Sequence, residues 1–370
     1  MQKTSPIGDN QNRGPVLTLG CLGTDSHGEQ SHIALTKRVA NFLSKEYIGR
    51  LEDYKGPIRP YCVPRDTLCG AECALHLPEV TESDFLGGQV GHPMAATKAV
   101  VHPLAPGEEA PSTWPGSFAD ATTDLTLLGY TAITSRGAIC AGRKLLETGD
   151  VRIKLVGASG GTQQEVAGSL DELLYIIDAL SSENGLVDCL VLEENLTDVQ
   201  TFSVGQITLG GLSAAYIGEQ NLTLNNQGRE VYGGSCLRVF RGGLSNLVDT
   251  LSDKERVICD LGMQFDELAV RHLGLVASRR NYDVVSGRDN QGKIKRAVLE
   301  QSWRVGGASG AEIAALEAFV SDPELNWVQA STVEQYGDTV KPPVNADVYF
   351  HGVDGELGPL LKYSLIQDSR

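Results

Sequence analysis

Residues 151–166 read VRIKLVGASGGTQQEV, and no other segment restricts the fold of this chain as tightly. Val151, Ile153 and Leu155 alternate with Arg152 and Lys154, which predicts a strand with one apolar and one cationic face. The run GASGG at 157–161 then interrupts it and the chain turns back as a second strand. A lysine late in a strand, ahead of a mobile glycine loop, can clamp phosphate. Backbone N–H groups of the loop point at phosphate oxygens, glycine allows the close approach, and the ammonium adds a point charge. Lys154, Gly157, Ser159, Gly160 and Gly161 are the candidate contacts. An ordinary hairpin with an exposed lysine reads the same way from these residues alone. The segment is not a Walker A loop, because no Gly-Lys-Ser/Thr closes it, and its spacing does not match the dinucleotide fingerprint.

The flanks put this hairpin in an α/β setting. A helix at 135–147 leads into it, and a helix at 169–181 and an apolar strand at 186–192 follow. Upstream, VLTLG at 16–20, a turn at 23–28 and a helix at 31–44 form a strand–turn–helix unit. A strand at 61–64 and a helix around 95–101 come next, and four prolines between 103 and 115 mark a joint between lobes. Beyond 201 the pattern is strand-rich: FSVGQITL and LSAAYIG form a hairpin closed by Gly210 and Gly211. A helix at 254–273 and two strands at 282–285 and 297–301, joined by GRDNQG, complete the reading. With 370 residues this implies two or three packed lobes. Residues 1–14 are polar, lack an apolar core of the signal-peptide kind and read as a disordered tail.

The net charge of −16 repels nucleic acid and anionic membranes, and no run of about 18 apolar residues is present to span a bilayer. The eight cysteines are scattered, and Cys69 and Cys73 have no second pair to close a zinc site. Reduced, mostly buried thiols in a cytoplasmic protein are expected, Cys140 and Cys189 included.

Three further segments carry chemistry. CLVLEENL at 189–196 is a buried strand ending in acids. Such a strand can serve as a hinge whose backbone pairs with an adenine edge while an acid takes a ribose hydroxyl or the amino group, although a solvated strand end looks alike. In YDVVSGRD and VLEQSWR, Asp283 and Glu300 fall on adjacent strands, where facing carboxylates can hold Mg²⁺, although two solvated acids on an open sheet face read the same way. In RVGGASGAEIAALEAF at 304–319, Ser309 and Glu312 fit a capping box, which predicts a helix starting at Gly310. Arg304, Gly306 and Gly307 then precede an open helix N-terminus, a natural anion site.

Taken in order, these segments resemble the ATP-grasp superfamily, which includes biotin carboxylase and D-alanine–D-alanine ligase. Through FLGGQVGHPMAATKAVVHPL, NLTDVQTFSVGQI, ASRRNYDVVSGRD and VLEQSWRVGGASGAE, nearly the whole chain is similar to an uncharacterised bacterial ATP-grasp-like family. The resemblance implies an α/β (α+β) ATP-grasp fold. An N-terminal pre-ATP-grasp α/β domain would occupy 15–97, a central lobe 98–194 and a C-terminal lobe 195–370, the two lobes clamping ATP. It implies that Lys98 and Lys154 are the ATP lysines, that Glu193, Glu194 and Leu196 form the adenine hinge, and that Asp283 and Glu300 bind Mg²⁺. Arg304 would steady the reacting phosphate or carboxylate. Two positions depart from the pattern: Ser302 stands where the third metal ligand is commonly Asn, and Gln200 stands near the place of the ribose acid. The implied reaction is ligation, in which a carboxylate is activated as an acyl phosphate and attacked by an amine or thiol, with ADP and phosphate released. A small-molecule kinase and a non-catalytic nucleotide-binding protein are the alternatives. Gly306, Gly307, Ser309 and His27 are expected to hold the acceptor substrates, with Arg279 and Arg280 as further candidates for an acidic one. A homodimer is expected of an enzyme of this kind.

Overall fold

The computed structural model describes residues 14–21, 24–70, 80–112, 114–157, 164–184, 189–248 and 250–369. The expected tail falls almost wholly in 1–13, outside the described residues. Strands β1 (Val16–Leu19), β2 (Tyr47–Arg50) and β3 (Tyr61–Pro64) form a parallel sheet in the order β2-β1-β3, with helix α1 (His27–Phe42) between β1 and β2. Strand β3 coincides with the expected segment. Helix α1 starts four residues earlier than the apolar spacing suggested, because the Ser26 hydroxyl accepts from Glu29 N and caps it there.

Strands β4 (Leu68–Cys69) and β5 (Gly88–Val90) begin a second small sheet, whose third member is supplied from far along the chain. The helix expected at 95–101 is instead two 3₁₀ turns, Pro93–Ala96 and Lys98–Val101. Thr97 divides them: its backbone is extended and its hydroxyl accepts from Ala99 N, a local bond that competes with helix continuation. Helix α2 (Gly116–Ala121) follows the proline-rich joint.

The central lobe contains β6 (Gly129–Ala132), α3 (Ser135–Leu146), β7 (Val151–Leu155), β8 (Gln164–Ala167), α4 (Leu170–Asn184) and β9 (Leu190–Glu194), in the antiparallel order β6-β9-β7-β8. Its two helices cover one sheet face, where Val151, Ile153, Leu155, Leu190 and Leu192 pack with Ala138, Ala141, Leu145, Leu173 and Ile177. Period-2 alternation therefore sends Arg152, Lys154 and Glu193 to the opposite face.

The largest sheet has eight strands in the order β15-β14-β10-β11-β12-β16-β18-β17. They are β10 (Thr197–Leu209), β11 (Leu212–Leu224), β12 (Glu230–Arg241), β14 (Arg279–Arg288), β15 (Ile294–Ser302), β16 (Trp327–Tyr336), β17 (Asp347–Asp354) and β18 (Gly358–Ser369). The β10–β11 hairpin closes as expected at Gly210 and Gly211, with φ of 60° and 85°, a two-residue turn in which both centres are left-handed. Both faces of the sheet are buried, so alternate residues of β11 serve different cores. Ala214 and Tyr216 join α1 and helix α7 (Ser309–Ser321), while Ala215 and Ile217 join helix α6 (Asp253–Leu273). The short helix α5 (Leu244–Val248) leads into α6. Helix α7 is apolar all round because it lies between the sheet and α1. Finally, β13 (Val276–Ala277) pairs with β5 and completes the sheet β13-β5-β4.

The expected capping box at the start of α7 is not formed. Ser309 Oγ accepts from Gly306 N, and the Glu312 carboxylate is taken by Arg279, so the N-cap is Ala308 with no side-chain bond. Cysteine burial also departs from expectation: Cys21, Cys62 and Cys259 are buried, but Cys140 is exposed and Cys189 only half-buried. Among the described residues no helix is long and apolar enough to cross a membrane.

Candidate functional site

The face of the central sheet opposite its two helices carries a buried ionic chain. Lys154 and Glu193 are only 6% and 1% exposed. Lys154 Nζ lies 2.5 Å from Glu193 Oε1, and His102 Nε2 lies 3.2 Å from Glu193 Oε2. Burial alone would push the Glu193 carboxyl up, but the Lys154 ammonium and the His102 hydrogen bond outweigh it and bring it down to about 2. Arg152, on the same face, donates to Asn195 Oδ1 and Gln164 Oε1. Gly157 is an exposed turn residue at the end of β7. Ser159, Gly160 and Gly161 lie outside the described residues.

A second group of polar side chains comes from β14 and β15. Asp283 and Glu300 are direct cross-strand partners, and Ser203 of β10 is the next in the row. Antiparallel partners share a face, so these side chains emerge together. Partial burial, and then the charge of Glu300, push the Asp283 carboxyl up to about 6, and Asn281 Nδ2 donates to it at 2.8 Å. Lys98, from the second 3₁₀ turn, reaches Glu300 Oε2 at 3.0 Å. The two surfaces are joined by a Glu194–Lys295 ion pair and by an apolar cluster of Leu127, Leu196, Val285 and Ala297. Leu196 thus packs directly against the Asp283 strand.

Behind the carboxylates sits a second buried network. Arg279 and Glu312, 1% and 0% exposed, form a multiply bonded pair. The Arg279 guanidinium also donates to the Ser302 carbonyl at 2.8 Å, to Ser302 Oγ at 3.2 Å and to the Arg304 carbonyl at 2.5 Å. Tyr216 donates to Glu312 at 2.6 Å and bridges to Asn281, which holds Asp283. One arginine therefore fixes both the Ser302 hydroxyl and the backbone ahead of Gly306. Gly307 is packed flat on Tyr232; a Cβ there would fall 2.7–2.8 Å from its ring.

Two expected residues fall elsewhere. Arg280 alternates onto the other face of β14, where it pairs with Asp266 of α6 and with Glu82. Gln200 also faces α6 and accepts from Lys254 at 3.2 Å, away from the Asp283 face. Arg304 is partly exposed and lies 3.7 Å from Asp66, its other guanidinium nitrogen donating to the Val305 carbonyl. Ser309 is spent on the Gly306 N–H. His27 opens α1, donates its backbone N–H to Asp354 and packs edge-on against Phe350. Burial and the nearby Lys362 charge pull its imidazole down to about 4. The residue that the sequence reading missed is His102. Its only signal was a polar residue between the apolar run at 99–101 and Pro103.

The carboxylate pair and the Ser302 hydroxyl are oxygen donors of the kind Mg²⁺ takes. Among the described residues no three His, Cys, Asp or Glu side chains converge on a metal site.

Solved structures share this architecture. N5-carboxyaminoimidazole synthetase from Staphylococcus aureus, solved with ADP, is 11% identical with a TM-score of 0.54, over 96% of this chain and 93% of that one. The Aspergillus clavatus N5-carboxyaminoimidazole synthase, solved with ADP and 5-aminoimidazole ribonucleotide, is 10% identical with a TM-score of 0.54, over 96% and 94%. The biotin carboxylase domain of Hydrogenobacter thermophilus 2-oxoglutarate carboxylase, solved with MgADP and bicarbonate, is 11% identical with a TM-score of 0.51, over 95% and 86%. These are ATP-grasp enzymes, and the fold of this chain is the ATP-grasp fold. No curated relative matches the sequence. The model of the family described as protein of unknown function DUF3182 matches residues 21–364, and the chain belongs to that family.

Proposed function

We propose that the chain is an ATP-dependent ligase that activates a small carboxylic acid as an acyl phosphate for attack by an amine or a thiol. The observation that carries this reading is the Lys98–Glu300 pair at 3.0 Å, which draws a lysine of the central region onto the carboxylate pair of the large sheet. A triphosphate lying between the lobes would meet Lys98 and Lys154 from one side and a metal on Asp283, Glu300 and Ser302 from the other. Asp283, Glu300 and Ser302 would hold the Mg²⁺, which would supply positive charge against that developing during transfer. A substrate carboxylate oxygen attacks the γ-phosphorus and ADP leaves; an amine then attacks the acyl carbon and phosphate leaves. The chain's own contribution is positioning and charge. The lysines neutralise the phosphates and Arg304 steadies the acyl phosphate. His27 borders the acceptor side.

The test is ADP release over a panel of carboxylic acids and amines. Lys154→Ala and Glu300→Ala are expected to lower turnover by at least 100-fold, roughly the cost of one removed charge contact in a dry site. Full turnover in either variant overturns the assignment. Binding of Mg-ATP with no turnover across the panel favours a non-catalytic nucleotide-binding protein, a reading supported by Gln200 lying on the other sheet face.

A further inference from the structure

We propose that Glu193 and His102 are positioning residues for Lys154, so that the first acid of the 193–196 segment sets phosphate affinity instead of reading the nucleoside. The inference rests on the ATP reading above. A lysine has four flexible dihedral angles, and holding its ammonium ready for phosphate removes rotamer freedom that binding would otherwise have to remove. Glu193 does this in advance: its Oε1 takes one of the three Lys154 N–H bonds at 2.5 Å and leaves the others to point elsewhere.

The carboxylate is itself locked. Its second oxygen meets His102 Nε2 at 3.2 Å, and His102 is 1% exposed. Both oxygens therefore have fixed partners on the protein. His102 Nδ1 is buried without a hydrogen-bond partner, which places the ring proton on Nε2, as a donor to Glu193. The ring lies flat against the strand: a Cβ on Gly129 would lie 2.8–2.9 Å from three of its atoms, so glycine is required at the position opposite Glu193. The neighbouring charges are committed elsewhere: Arg152 to Asn195 and Gln164, and Glu194 to Lys295.

The experiment is a double-mutant cycle on the full chain, with Mg-ATP affinity read by calorimetry. Wild type must first bind Mg-ATP; if it does not, the ligase reading fails and not this inference alone. Glu193→Gln and Lys154→Met are each expected to weaken binding by roughly 10- to 100-fold, and the double variant to be no weaker than Lys154→Met alone. His102→Gln, which keeps a donor, should remain within a few-fold of wild type, whereas His102→Leu should match Glu193→Gln. The preference of Glu193→Gln for ATP over ITP, which lacks the 6-amino group, should equal that of wild type. Losses that multiply in the double variant, or a collapsed ATP/ITP preference in Glu193→Gln, overturn the proposal. Should Glu193→Gln fail to fold, the cycle is read with His102→Leu against Lys154→Met, with the same two outcomes.

Discussion

Glu193 is stabilised in its ionised form by neighbours that the unfolded chain lacks. Its carboxyl is depressed from an ordinary value of 4.5 to about 2, so the contribution is complete above pH 4.5 and is lost as pH falls toward 2. A shift of that size corresponds to on the order of 3 kcal/mol. Urea melts of wild type and Glu193→Gln should differ by about that much at pH 7, and the gap should narrow between pH 4.5 and 3. A gap that stays constant across that range would show that ionisation is not the source. His27 behaves differently. Its folded value of about 4 lies below the ordinary 6.5, so acid favours the unfolded chain, which protonates first. Stability should fall as pH drops from 6.5 to 4, and His27→Gln should remove about 3 kcal/mol of that loss. At this scale the sequence showed which strand faces carry Lys154, Asp283 and Glu300, because alternation fixes where such side chains point. It did not disclose His102, whose role depends on a contact 91 residues away. Nor did it separate Arg279 from Arg280. Both read as candidates for an acidic substrate, yet one is buried on Glu312 and the other points at α6.

Among the elements, β14 shows how one strand divides its duties. Arg279, Asn281 and Asp283 face the site, while Arg280, Tyr282 and Val284 face α6. The Arg279–Glu312 pair should behave as a buried ion pair. Arg279→Met leaves Glu312 charged and unpaired and is expected to cost about 3–5 kcal/mol in chemical denaturation. Arg279→Met with Glu312→Leu should recover most of that. The glycine pair after Arg304 is expected to be intolerant as well: Gly307→Ala drives a methyl into the Tyr232 ring and must displace the loop. Turnover should drop more than 10-fold, with the melting profile little changed, since the clash sits in a loop and not in a core. Long amphipathic helices and the β10–β11 hairpin were legible because period and turn chemistry agree over many residues. The 3₁₀ pair and the missing capping box were not. Each turns on a single side chain, Thr97 or Glu312, choosing a partner that only the folded chain supplies.

For the molecule as a whole, ligand linkage offers a direct check on the nucleotide reading. Mg-ATP at 100 times its Kd should add about 2.7 kcal/mol to unfolding and raise the melting temperature. An unchanged melting temperature at saturating concentrations counts against a nucleotide site. The layered α/β organisation was legible from alternating strand and helix patterns, but the closure between distant parts was not. The strand Gly88–Val90 pairs with Val276–Ala277, Gly88 N donates to the Trp303 carbonyl, and Ser278 bonds both Phe85 and Gly87. A ribosome reaches residue 90 long before residue 303. During synthesis this strand must therefore wait, with one edge open, while more than half of the chain is made. A fragment ending near residue 97 would keep that edge permanently, and an unpaired edge recruits other chains. Between making β5 and making β13 the nascent protein therefore carries this edge without its final partner.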